Sequence, residues 1–298
     1  MQRLLLLAWF ALGSACAGTA PLPAKAIELN RLGVQALEAG DLETADARLE
    51  LALEYNPKFV EALVNLGIVE AQRGNFARSR ELLERARRLN PDVAQPHHGL
   101  GVLAERERKP EAAHDHYREA LAVDPGFAPS RANLARLLFD GGWVEDALLE
   151  FRRLTEVAPD RPEGPIGLAE CLVRLDRLTE ADDLVDRARR RWPADPALLV
   201  LSARALLRRG ASTEARALLR PLAQRRDAHG VSALGWLAAA DLAEGDARGA
   251  AARAQRALRL APGDPFATWV LARALERAGD PAAPAWAERA ASLGAPAR

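Results

Sequence analysis

Proline recurs every 34 residues through much of this 298-residue chain, at Pro57, Pro91, Pro125, Pro159 and Pro193. The same step separates Leu32-Gly33, Leu66-Gly67 and Leu100-Gly101, then Leu134-Ala135 and Leu168-Ala169. It also separates Ala45, Ser79, Ala113, Ala147, Ala181 and Ala215, and again Ala52, Ala86, Ala120, Leu154 and Ala188. Registers that agree on one period describe a repeated unit, which buries its apolar face only by stacking on its neighbours. Such a chain grows in length without enlarging one central core, so its size predicts no second globular domain.

The residue types predict what the unit is. Ala, Leu and Arg dominate and aromatic residues make up only 5% of the chain, a helix-forming composition. Within one unit, places 4, 7, 8 and 11 have the spacing of a single helix face, as in Leu63, Leu66, Gly67 and Glu70. Small residues at places 8 and 20 let two antiparallel helices approach. Larger ones at place 24 (Leu49, Leu83, Tyr117, Phe151, Val185 and Leu219) fill the seam between them. Gly40-Asp41, Gly74-Asn75 and Gly245-Asp246 supply a helix C-terminus followed by the next cap. The recurring proline ends the second helix, since it lacks the N–H that the next turn needs.

This pattern resembles the tetratricopeptide repeat family, whose motif is W-x2-L-G-x2-Y…A-x3-F-x2-A…P over 34 residues. The resemblance covers residues 26–298 in units beginning near Ala26, Val60, Ala94, Ala128, Pro162, Pro196, Val231 and Gly263. The large aromatics at places 4 and 11 are mostly aliphatic here. The implied fold is all-α, a right-handed α-solenoid of about eight antiparallel helix-turn-helix units. Residues 26–227 read as a regular array of six units and residues 228–298 as a shorter C-terminal pair. Pro221 falls within a second helix and the following register is displaced, so a break or hinge is expected at 221–230.

Residues 1–17 have the layout of an export signal, with Arg3, an apolar stretch from Leu4 to Leu12 and small residues after it. That stretch is about half the ~20 residues of a membrane span. Two processing routes fit. Leu12-Gly13-Ser14-Ala15-Cys16 resembles a bacterial lipobox with its branched residue one place early, which makes Cys16 the site of lipid attachment and the membrane anchor. Ala15-Cys16-Ala17 also reads as an ordinary cleavage site. Residues 18–25 then form a linker. Cys171 lies on an apolar helix face and reads as a small buried hydrophobe.

The family resemblance implies a concave groove lined by the first helix of each unit, through places 2, 5, 9, 12 and 13. Place 5 carries Asn30, Val64, His98, Ala132, Ile166, Val200, Gly235 and Trp269. Place 9 carries Val34, Ile68, Val102, Arg136, Glu170, Arg204, Ala239 and Arg273, and place 13 adds Arg106, Asp140, Arg174, Arg208 and Arg277. The expected protein partner is an extended or helical segment. Its apolar anchors would meet Val34, Val64, Ile68 and Val102, and its acidic groups Arg136, Arg174, Arg204 and Arg208. The bland alternative is a solvated charged face. The lysine of the family's carboxylate clamp is absent, since Asn30 and Val34 stand at the corresponding places.

The 41 basic and 41 acidic side chains balance, which predicts no nucleic-acid partner. No phosphate-binding glycine loop and no catalytic domain stand outside the repeats, so neither a small-molecule substrate nor a cofactor is expected, and the chain reads as no enzyme. His97, His98, His114 and His116 share one unit, but His114 and His116 lie about 200° apart around a helix, against a common metal. The chain therefore reads as an exported scaffold of the bacterial cell envelope. It is similar to tetratricopeptide lipoproteins that assist assembly of the outer-membrane pore of type IV pili and related secretion or gliding machines. A periplasmic co-chaperone or cell-wall-enzyme adaptor is the alternative, and a metal-dependent factor built on the histidines is a further one.

Overall fold

A computed structural model describes residues 22–294, so the export signal expected at residues 1–17, Cys16 and half of the expected linker lie outside the described residues. Among the described residues there are sixteen α-helices and no strand. They belong to two compact units that divide after Gly167.

The N-terminal unit is a stack of four hairpins. These are α1 (Ala24–Glu38) with α2 (Leu42–Tyr55), α3 (Val60–Arg73) with α4 (Phe76–Leu89), α5 (Ala94–Arg106) with α6 (Pro110–Val123), and α7 (Ala128–Asp140) with α8 (Val144–Val157). The division falls within α9 (Glu163–Arg174), which precedes α10 (Leu178–Arg191). The C-terminal unit continues with α11 (Pro196–Arg208) and α12 (Ser212–Leu222), α13 (Ala228–Ala243) and α14 (Ala247–Leu260), then α15 (Pro265–Ala278) and α16 (Ala283–Ser292).

The first six hairpins each turn through one left-handed residue at the repeat period, Gly40, Gly74, Arg108, Gly142, Asp176 and Gly210, and the last two turn through Gly245 and Gly279. The next residue donates its N–H five residues back, at 2.9 Å for Asp41 to Ala36 and for Lys109 to Ala104, which closes the helix end. Glycine adopts this backbone without steric cost, whereas Arg108 holds φ +59° against it. Asp41, Asp195, Asp227, Asp246 and Asp264 then cap the following helices by accepting a backbone N–H.

Close approach between helices is the work of the small residues. A Cβ on Gly67 would sit 2.8 Å from Leu83, and one on Gly99 of the next hairpin 2.5 Å from the same side chain. Leu83 is completely buried, gripped by its own hairpin and the one after it. A Cβ on Gly101 would likewise reach 2.5 Å from the buried Tyr117 ring.

The seventh hairpin departs from the sequence register. α12 ends at Leu222, directly after Pro221, with 11 residues where α10 and α14 have 14. The chain reaches the next helix early, so α13 starts at Ala228, with Asp227 as its cap, rather than at Val231. Around this segment Leu219, Leu222, Ala223, Val231 and Leu234 belong to one buried cluster.

Candidate partner-binding face

In the N-terminal unit the first helices lie side by side, α1 against α3 and α3 against α5. The residues predicted to line an apolar groove are mostly inside this packing. Val64 and Ile68 are 5% and 6% exposed and Val102 is 3% exposed, all within the buried clusters. His98 is also buried, between the rings of Tyr117 and Phe127, with its Nδ1 3.1 Å from Ser130 Oγ. Burial pulls this imidazole down to about 4. Of the apolar groove expected from Val34, Val64, Ile68 and Val102, the last three places are thus covered, as is the neighbouring His98. Glycines at the seams draw the helices together, and the neighbouring side chains cover those places. Val34, Ala132 and Ile166 remain half-exposed.

Beside these, the open part of this face carries polar pairs. Asn65 donates its amide N–H to Asn30 Oδ1 at 2.9 Å. Asn133 donates to Tyr117 Oη at 3.2 Å, and that hydroxyl donates to Glu105 Oε1 at 3.0 Å. Arg136 grips both Glu105 oxygens, at 3.1 and 2.9 Å. Burial raises the Glu105 carboxyl, with Arg136 opposing it. Arg136, expected as a free anchor for acid, therefore already holds one.

The histidines separate into three environments. His97 and His116 both place Nδ1 3.0 Å from the same Glu119 oxygen, His114 faces Asp115 at 3.1 Å, and His98 faces Ser130. Among the described residues, no group of three or more His, Cys, Asp or Glu side chains is placed to hold a metal ion. Cys171 is buried, and burial pushes its thiol up to about 12, far from a reactive thiolate.

In the C-terminal unit, Arg208 and Arg209 both bind the buried Asp182, the latter at 3.0 Å. Glu170 is half-exposed and Arg174 exposed. Arg204 differs. Its guanidinium carbon lies 4.9 Å from the Trp236 ring centroid, and its Nε is buried without an acceptor. Burial holds its guanidinium below the ordinary range, opposed by Glu170. Trp236 meets Phe266 at 4.5 Å, and Phe266 stacks on Trp269 at 6.1 Å with 15° between planes. One cation and three half-buried rings thus run across α11, α13 and α15. Trp269 stood on the predicted line, but Trp236 did not. Counting the seventh unit from Val231 placed Gly235 at place 5, whereas counting from Ala228 puts Trp236 at place 9, level with Arg204 and Arg273. The sequence signal available for it was Asp227 as a helix cap.

Three models of the tetratricopeptide repeat match the chain, over residues 59–125, 104–164 and 166–230. The type IV pilus assembly protein PilF of Pseudomonas aeruginosa is 32% identical over 100 residues, which is 34% of this chain; the chain spans 38% of that relative's length. The solved structure of Pseudomonas aeruginosa PilF superposes with TM-score 0.58 at 23% identity, covering 70% of this chain and 94% of that one. A tetratricopeptide repeat protein from Parabacteroides merdae superposes with TM-score 0.61 at 16% identity, covering 85% and 100%. At these identities the two structures speak for the fold.

Proposed function

Since this chain belongs to the tetratricopeptide repeat family, we propose that it is a non-enzymatic scaffold of the bacterial cell envelope that holds a protein segment along its first-helix face and assists assembly of a pilus or a related secretion or gliding complex. The observation that carries the pilus reading is the 32% identity over 100 residues to a protein named for type IV pilus assembly. The physical support is that each of the two units presents a row of first-helix surface, with the open positions described above available to a partner. On this reading the partner meets Ala132, Ile166 and the Asn30–Asn65 and Glu105–Arg136 pairs in the N-terminal unit. In the C-terminal unit it meets the face around Arg204.

The reading includes export and attachment through Cys16, supported by the apolar stretch and the small residues that follow it. A single acyl chain anchors only marginally, so a lipoprotein here would need more than one chain. Cys16→Ser followed by membrane fractionation tests this, and a variant that stays with the membrane refutes it.

The main experiment places a photo-crosslinking residue at Ala132, with a control at the exposed Ala47 on α2. Capture of one envelope protein from Ala132 alone supports the face and identifies the assembly. Equal capture from both positions refutes it. Deletion of the gene should abolish the assembled pore, and normal pore oligomers in the deletion strain would refute the pilus assignment.

A further inference from the structure

We propose that the row formed by Arg204, Trp236, Phe266 and Trp269 takes a protein segment in which proline rings alternate with carboxylates. The inference rests on the reading of the first-helix face as a partner surface and gives the partner its chemistry.

The row is a built feature. Gly235 has no Cβ where one would lie 3.0 Å from Phe266, so the ring lies down against α13 and reaches Trp236. Its steps of 4.9, 4.5 and 6.1 Å together are shorter than two turns of polyproline II helix, at about 9 Å per turn. A short motif is therefore long enough to cover it.

Charge complementarity selects the acid. Among the cations of this face, Arg208 is bound to Asp182, Arg273 to Glu276 at 2.8 Å, and Arg277 donates to the Leu242 carbonyl at 2.6 Å. Arg204 keeps a buried Nε with no acceptor and lies on the Trp236 face, with Glu170 acting on it through charge. A guanidinium held in a partly desolvated place gains from a carboxylate that reaches its outer nitrogens.

The rings select proline. They close on one another at 4.5 and 6.1 Å, which leaves no slot for a nucleic-acid base to enter. A sugar would stack on the tryptophans, but Ala239 and Ala272 stand three residues after them, and Arg273, one turn from Trp269, is held by Glu276 at 2.8 Å. Proline presents a rigid apolar ring and no donor. In polyproline II conformation it loses little entropy on docking to aromatic surfaces.

The test is fluorescence polarisation of the full chain with a dye-labelled peptide of alternating proline and glutamate. The expected result is saturable binding that weakens with salt, falls about tenfold in Arg204→Gln and also falls in Trp269→Leu. Circular dichroism melts should show both variants folded. A proline–lysine peptide should not bind. The inference is overturned if the proline–glutamate peptide fails to bind, if it binds Arg204→Gln equally well, or if a cello-oligosaccharide displaces it. Where the peptide fails but the crosslinker at Ala132 still captures its protein, this inference falls and the reading of the face survives. Where neither binds, both fall.

Discussion

Arg108 occupies a hairpin turn that the chain otherwise gives mostly to glycine. Its φ of +59° lies in the same left-handed region as the +87° of Gly74 and Gly142 one repeat away on either side, and the same backbone hydrogen bond closes the helix end. A non-glycine residue in this conformation costs roughly 1–2 kcal/mol. Glycine in its place would return about 0.5–1 kcal/mol of that through the greater entropy of the unfolded chain. The Arg108 side chain is exposed, so little packing is lost. Arg108→Gly should therefore stabilise the N-terminal unit by about 0.5–1 kcal/mol. With an m-value of about 3 kcal/mol/M in urea, the midpoint should rise by roughly 0.2–0.3 M, read by circular dichroism at constant m. Gly74→Arg should move it down by a similar amount. Asp176→Gly should gain less than Arg108→Gly, because aspartate tolerates left-handed backbone better than arginine. A lower midpoint for Arg108→Gly, or a neutral Gly74→Arg, would refute the reasoning that backbone conformation governs these turns.

Gly101→Ala should cost about 1–3 kcal/mol in the same urea assay, since its Cβ would reach 2.5 Å from a Tyr117 ring that is buried and tied to Glu105. His98 has a folded-state pKa of about 4 against 6.5, so the unfolded chain takes up the proton first. Its contribution is complete above pH 6.5 and is lost as pH falls towards 4, by on the order of 3 kcal/mol. His98→Leu should remove that part of the slope when urea midpoints are measured between pH 7 and 4. If residues 221–230 act as a hinge, amide exchange there should outpace α11 and α14, and equal protection would dismiss it.

The repeat made the hairpins legible because small residues, turns and prolines all return at one interval, and α3, α5, α7 and α11 begin where that interval puts them. The count drifted only after Pro221, where a shortened α12 hands over to α13 ahead of schedule, and Trp236 was lost with it. Exposure was harder to read. A valine at place 5 or 9 looks the same in sequence whether it faces solvent or a neighbouring helix. Only the depth of contact at Gly67, Gly99 and Gly101 decides that Val64, Ile68 and Val102 are covered. The pairing of Arg136 with Glu105 joins two hairpins across 31 residues of chain, beyond any local pattern.

Leu83 senses only its immediate surroundings, Gly67 behind it and Gly99 ahead. A second copy of residues 60–93 inserted beside the first would offer the same surfaces on both sides and leave no new face bare. Lineages of such a chain can therefore gain or shed length by duplicating whole 34-residue blocks. A single inserted or deleted residue has no such freedom, because it turns every later seam out of alignment until some turn absorbs the slip. The stretch between α12 and α13 is where this chain has absorbed one.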